Sequence, residues 1–298
     1  MSSYVGTPAR PAASPAIKSL KAVVLTVICA VVVVPFVGIV STSLAGQAQL
    51  TRAGGFVLLP QHVSFAAYHA ILSGGVVTRA TVVSILVTSV GTAISLAATI
   101  LLAYGLSRPG SFGHKPLLMV VLLAVLFGPG LIPSYLVVKQ FGLLDSYWSL
   151  ILPAAINAFN VIVMRAFFMG LPRELIDSAR IDGASDAAIL RHIVLPLSKA
   201  VIAVIGLFYA VGYWNSFFSA LLYLNDTAKW PLQMVLRTYV VDQNQLGVDQ
   251  MGAAGAGLPP QQAIQMAILM LSILPILLVY PFVQKHFGKG VLIGAVKG

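Results

Sequence analysis

The sequence predicts an all-α membrane protein with six spans and both termini on the cytoplasmic side. Three observations carry this. The 298 residues are 58% hydrophobic and only 9% charged, against about 25% charged in soluble domains. Six apolar runs are each long enough to cross a hydrocarbon core of roughly 30 Å, which takes about 20 helical residues. When the intervening segments are placed on alternating sides, only Arg52, Arg79, Lys139, Lys229 and Arg237 of the 18 basic residues fall outside. That bias follows the positive-inside rule. It explains the net charge of +10 by insertion, without nucleic acid or an acidic ligand.

Residues 1–20 are rich in Pro, Ala and Ser and read as a disordered cytoplasmic tail. The first run, about Ala22 to Leu44, is too long for a signal-peptide core and is followed by further spans, so it is expected to be retained. It holds Cys29, the single cysteine, which reads as a small packing residue. An outer loop with Gly54-Gly55 and Pro60 leads to the second span, about Ala80 to Leu106. Ser107 to Lys115 is a short basic inner turn. The third span starts near Pro116 and carries Gly128-Pro129-Gly130, which should kink it. The fourth runs from about Ser149 to Met169 and the fifth from about Ser198 to Leu222. Tyr223 to Gln262 is the longest outer loop, and its second half is polar and Gly-rich. The sixth span, about Ala263 to Val283, carries Pro275 and Pro281. The expected organisation is a tail at 1–20, a six-span transmembrane domain at 21–284 with an inner loop at 170–197, and a basic cytoplasmic tail at 285–298.

The inner loop carries the strongest signal. It holds four of the eight acidic residues, Glu174, Asp177, Asp182 and Asp186. Leu175, Ile176 and Ala179 recur at helical spacing. Pro172 suits a helix start, Gly183 permits a sharp turn, and Ser185 is placed to cap a second short helix to about Ile193. Pro196 should then break the chain. A helix–turn–helix between two spans is a shape for an external partner to grip.

The spacing of this loop resembles the Glu-Ala-Ala-x3-Gly-x9-Ile-x-Leu-Pro motif of the membrane subunits of binding-protein-dependent ABC importers. Asp177, Ser178, Ala179, Gly183, Ile193, Leu195 and Pro196 fall on it in register. Asp replaces Glu and Ser replaces Ala, which leaves Asp177 and Glu174 both open as the carboxylate that faces the partner. Trp214-Asn215-x-Phe217 and Gly290 to Gly298 resemble the carbohydrate-uptake branch, the group of the maltose importer's smaller membrane subunit. Asn157 to Ile162 and Ala220 to Leu224 look most like permeases for complex or acidic oligosaccharides, including alginate importers.

The resemblance implies a type I importer permease fold in the bacterial inner membrane. It implies pairing with a second homologous permease, expected to be a different chain. Two ATP-hydrolysing subunits would dock below and bind the ATP and Mg, so this chain needs no cofactor of its own. Arg173, Glu174, Asp177, Ser178, Ala179, Arg180, Asp182, Gly183 and Ala184 would form the coupling surface. A periplasmic binding protein would deliver substrate, and the loop Gln243 to Gly257, with Asn244, Gln245, Asp249 and Gln250, would probe it.

Independent of the resemblance, no Gly-x4-Gly-Lys-Ser/Thr run is present to cradle phosphate. His62, His69, His114, His192 and His286 have no metal-ligand spacing. No Asp, Glu, Lys or His lies near the middle of a span, which argues against ion coupling. The remaining alternatives are a passive channel, an ion-coupled carrier, or a permease of the same family for a non-sugar solute. The polar groups within spans are Asn157 and Asn160 in the fourth and Tyr209, Tyr213, Trp214 and Asn215 in the fifth. They suit sugar hydroxyls and ring faces, and equally suit packing between helices.

Overall fold

The computed structural model describes residues 15–108, 110–111, 113–244, 247 and 259–295, with side chains to 281. Helix α1 (Pro15–Ser43) starts inside the segment expected to be a disordered tail, so residues 15–20 are helical instead. Proline tolerates the first helical turn because its missing N–H would have no helical partner there. Most of α1 is exposed along its length. Its end is tied to the following loop: the Val57 amide donates to Thr42 Oγ1 at 3.0 Å and Ser41 Oγ donates to the Leu58 carbonyl at 2.8 Å. That loop contains α2 (Gln47–Arg52) and α3 (Ala66–Leu72).

Helix α4 (Val76–Leu106) is the central post. Its buried residues include Val83, Val87, Gly91, Ser95, Thr99 and Ala103, each four residues from the last. Helical geometry places such a row along one face, and its lower half is made of small side chains that allow close approach.

The third apolar run is fully broken, not merely kinked. It forms α5 (His114–Leu126) and α6 (Leu131–Gln140). Pro129 has no amide to donate and Gly130 sits at φ 77°, so neither continues a helix. The fourth run is α7 (Trp148–Ala154) and α8 (Ala158–Met169), bent by 48° between them. Helix α9 (Arg173–Ile181) follows.

Next come α10 (Asp186–Leu197) and α11 (Lys199–Trp214), bent by 84°. Helical structure was expected to end near Ile193, yet it continues through Pro196 and turns at Ser198. A wider π-type turn over Leu190–Val194 lies just ahead of Pro196 and absorbs the hydrogen bond that proline cannot make. The fifth run also ends earlier than expected. Helix α11 stops at Trp214, Asn215 and Ser216 form a turn, and α12 (Phe217–Tyr223) resumes.

The long outer loop contains a further helix, α13 (Leu232–Val241). Leu232 and Val235 are fully buried, and the Leu232 amide donates to Ser84 Oγ of α4 at 2.7 Å. Helix α14 (Gln261–Ala295) closes the bundle and packs along α1. Among the described residues, three helices are long and apolar enough to cross a membrane: α1, α4 and the Gln261–Pro281 part of α14. The two bent pairs raise the number to five.

Helix α11 lies against α4. Its buried row, Val201, Ile205, Tyr209 and Tyr213, also steps by four. Large residues on α11 therefore face small ones on α4, and a side chain added at Gly91 would meet the Tyr213 ring at 2.8 Å. This seam anchors one core cluster, which extends to Met164 and Phe168 of α8 and Ile189 and Val194 of α10. A second cluster joins α3, α13, Trp214 and the start of α14.

Candidate functional site: a coupling surface and a polar cavity

The inner loop starts with chain termination. Helix α9 follows Pro172 and ends in a Schellman arrangement. The Ala184 amide donates to the Ala179 carbonyl at 2.9 Å and the Gly183 amide to the Arg180 carbonyl at 3.0 Å. Gly183 adopts φ 81°, and nothing lies within 4 Å of where its side chain would be. The glycine is needed for backbone conformation and not for space. Ser185 Oγ then caps α10 by accepting from the Ala188 amide at 3.3 Å.

Ile176 and Ala179 of α9, with Ala184 beyond it, pack on the core. Glu174, Asp177, Ser178 and Ile181 share the opposite, exposed face. Ile181 is 87% exposed. Both Glu174 and Asp177 therefore point outward. Asp177 is 3.9 Å from Arg180. Arg173 and Asp182 are also exposed.

A second contact was not foreseen. Arg108, just past the end of α4, pairs with Asp186 at the start of α10, and its guanidinium lies 4.1 Å from the centre of the Tyr104 ring. The Tyr104 hydroxyl donates to the Asp186 backbone carbonyl at 3.0 Å. The start of α10 is thus tied to the end of the central post. The signal in the sequence was Tyr104 and Arg108 one helical turn apart, but nothing in it named their partner.

The second site is a cavity of about 520 Å³ between α7, α8, α11 and α12. Asn157, Asn160, Tyr209, Tyr213 and Asn215 all line it. Trp214 does not. It faces α14, where its Nε1 donates to the Ser272 carbonyl at 2.8 Å, and it lines a separate apolar pocket with Pro275. One residue of helix rotates a side chain by about 100°, so neighbours on α11 face opposite ways.

The tyrosines are committed to structure as well as to the cavity wall. Tyr209 Oη accepts from the Asn157 amide at 3.0 Å and lies 2.7 Å from Thr99 Oγ1. Tyr213 Oη donates to the Ile151 carbonyl at 3.1 Å and so accepts from Ser95 Oγ at 2.7 Å. The Asn157 amide, just past the bend between α7 and α8, has no helical partner of its own. Asn157 Oδ1 caps α8 by accepting from the Asn160 amide at 3.1 Å. The sequence reading missed Ser95 and Thr99; the four-residue spacing of small side chains on α4 was their signal.

Of the expected binding-protein loop, Gln243 and Asn244 are described, and Gln261 Nε2 donates to the Asn244 carbonyl at 3.2 Å. Gln245, Asp249 and Gln250 lie outside the described residues.

Residues 95–293 match the family described as binding-protein-dependent transport system inner membrane component. The chain is 47% identical over 266 residues to the polygalacturonan/rhamnogalacturonan transport system permease protein YtcP of Bacillus subtilis (strain 168), covering 89% of this chain and 93% of that protein. It is 50% identical over 271 residues to protein LplC of the same organism, covering 90% of each. In structure it is similar to a chain of a bacterial ABC transporter involved in import of the acidic polysaccharide alginate. The TM-score is 0.84 at 32% identity, with 93% of this chain and 100% of that one covered. The match spans the coupling surface, the cavity and the bent helices between them, and the chain belongs to the inner-membrane components of binding-protein-dependent transport systems.

Proposed function

We propose that the chain is one of two membrane subunits of an ATP-driven, binding-protein-dependent importer of oligosaccharides in the bacterial inner membrane. The observation that carries this is the outward face of α9. Glu174, Asp177, Ser178 and Ile181 are exposed, while Ile176 and Ala179 pack on the core and the following helix, α10, is tied to α4 through Asp186 and Arg108. A rigid helix with an exposed mixed face suits docking into an ATPase subunit and moving with it. Alternating access needs contacts that differ between two states, and such a helix supplies them. ATP and Mg would be bound by the two partner ATPases, and this chain would have no catalytic step of its own.

In this reading the chain has six spans and cytoplasmic termini. Helices α5 and α6 together make the broken third span, and the two bent pairs supply the fourth and fifth. The partner permease is a second, homologous chain. The residues from 243 to 257 face the binding protein. The cargo is an oligosaccharide, and the relatives named for polygalacturonan and alginate support an acidic one.

The test is ATP hydrolysis by the reconstituted complex, with the binding protein loaded in turn with neutral and uronate oligosaccharides. Stimulation by the uronate supports the acidic reading. Stimulation by neutral sugar alone keeps the importer and discards the acidic cargo. No stimulation by any saccharide, with all subunits co-purifying, would sink the saccharide reading and favour another solute.

A further inference from the structure

The cavity between α8 and α11 has a composition that bears on what part of a cargo it can hold. Its polar side chains are Asn157, Asn160, Asn215, Ser216 and Ser219 with the two tyrosines, and among the described residues its lining contains no Lys, Arg, His, Asp or Glu. Phe159, Phe208 and Phe218 add apolar ring faces. The volume of about 520 Å³ lies within the range of roughly 300–1,000 Å³ typical of small-molecule sites.

The available hydrogen-bonding capacity is narrower than the residue types suggest. Tyr213 gives its only proton to the Ile151 carbonyl and Tyr209 is engaged by Asn157 and Thr99. Asn157 Oδ1 is spent on the α8 cap, and Ser216 Oγ donates to the Tyr213 carbonyl at 2.7 Å. What is left are the carboxamides of Asn160 and Asn215, with the Asn157 Nδ2 donor and the Ser219 hydroxyl beside them. Asn160 is only 5% exposed, yet its side chain has no hydrogen-bond partner among the described residues and it lines the cavity. Its carboxamide atoms are not shut away from solvent, so they open onto the cavity, free to meet a ligand. Asn215 also lines the cavity and is exposed.

A carboxamide both donates and accepts, as a sugar hydroxyl does. A carboxylate only accepts, and an ionised one is costly to bring out of water unless a cation meets it. We propose that this cavity is a saccharide subsite that holds the hydroxyls and ring faces of a sugar unit and excludes its carboxylate. Asn160 and Asn215 are its hydroxyl-binding pair. The inference rests on the oligosaccharide reading above and places any recognition of acidic charge outside this cavity.

The experiment is uptake by the reconstituted complex, using the saccharide that stimulates the wild type. Asn160→Ala and Asn215→Ala should each lower uptake roughly five- to tenfold, the effect of losing about one hydrogen bond. With a uronate oligosaccharide as cargo, Asn160→Asp and Asn215→Asp should be no worse than the alanine variants, because no cargo carboxylate stands beside them. Co-purification of the ATPase subunits with each variant confirms assembly, and Asn215, being exposed, serves where Asn160 variants fail to assemble. Wild-type uptake in the alanine variants overturns the subsite. Uronate uptake that collapses well beyond the alanine level in the aspartate variants also overturns it, since that places the carboxylate in the cavity. Failure of the importer reading itself would show separately, as a wild-type complex that responds to no saccharide.

Discussion

Tyr209 and Asn157 are 52 residues apart, and the tyrosine hydroxyl accepts the asparagine's backbone N–H at 3.0 Å. That amide opens α8 just after the bend in the fourth apolar run, where no helical partner exists. A bent span at membrane depth must satisfy its freed backbone groups from neighbouring side chains. Tyr209, backed by Thr99, serves Asn157, and Tyr213, backed by Ser95, serves Ile151. Tyr209→Phe removes the acceptor while keeping the ring. It should destabilise the solubilised protein by about 1 kcal/mol, read as a lowered Tm. An unchanged Tm would mean that the bend is held by packing alone.

Gly183 should tolerate substitution according to backbone preference and not according to size, since no atom lies within 4 Å of its missing side chain. Gly183→Val should cost roughly 1–2 kcal/mol of local order at φ 81° and depress transport while insertion persists. Gly183→Asn should do less harm, because asparagine visits left-handed conformations more readily. Equal transport in the valine variant and the wild type would remove Gly183 from the coupling path.

The Arg108–Asp186 pair predicts a functional effect larger than its stability effect. The Asp186 side chain is 71% exposed, and such pairs contribute less than about 1 kcal/mol. Arg108→Ala should therefore leave Tm nearly unchanged but raise the ATP consumed per saccharide imported, because α10 loses its tether to α4. The exchange Arg108→Asp with Asp186→Arg should restore part of the ratio. If neither single variant alters the ratio, the clamp is ornamental to coupling.

At the opposite end of the bundle, Lys229 Nζ donates to both the backbone carbonyl and Oδ2 of Asp145 at 2.8 Å, and Asp145 Oδ1 accepts the amides of Asn225 and Asp226. The hydrogen bond from Lys229, followed by that from the Asp226 amide, holds the Asp145 carboxyl below the usual carboxylate pKa. The bond to Asp145 raises Lys229 above the usual lysine value. A lowered carboxylate pKa stabilises above its unfolded value, about 3.9, and the gain is lost as pH falls through the folded value. A raised lysine pKa stabilises below its unfolded value, about 10.4, and the gain is lost as pH rises through the folded value. The contribution of this clasp should be flat between those limits. Comparing Tm against pH for the wild type and Asp145→Asn checks it: the acid-side decline should be shallower in the variant. Parallel curves would show that the clasp does not hold the loops.

Much of this molecule was legible in its residues. Apolar run length marked where helices would lie, since a chain in lipid must satisfy its own backbone. Pro172, Gly183 and Ser185 marked the start, turn and cap of the inner helix–turn–helix, because each residue acts through local geometry. Helical spacing put Asn157 with Asn160 and Tyr209 with Tyr213 on shared faces, and the fold sets both pairs and Asn215 around one cavity. Periodicity does not say which neighbour a face meets. Only the tertiary structure turned Trp214 toward Ser272, set Arg108 against Asp186 and brought Ser95 and Thr99 under the two tyrosines. Those pairings join residues 58 to 118 positions apart. Gly128-Pro129-Gly130 announced a kink, but the breaks at residues 155–157 and at Asn215–Ser216 became visible only in the fold. A continuous apolar run reads as one span, and a bend within it persists only where distant side chains satisfy the backbone it frees.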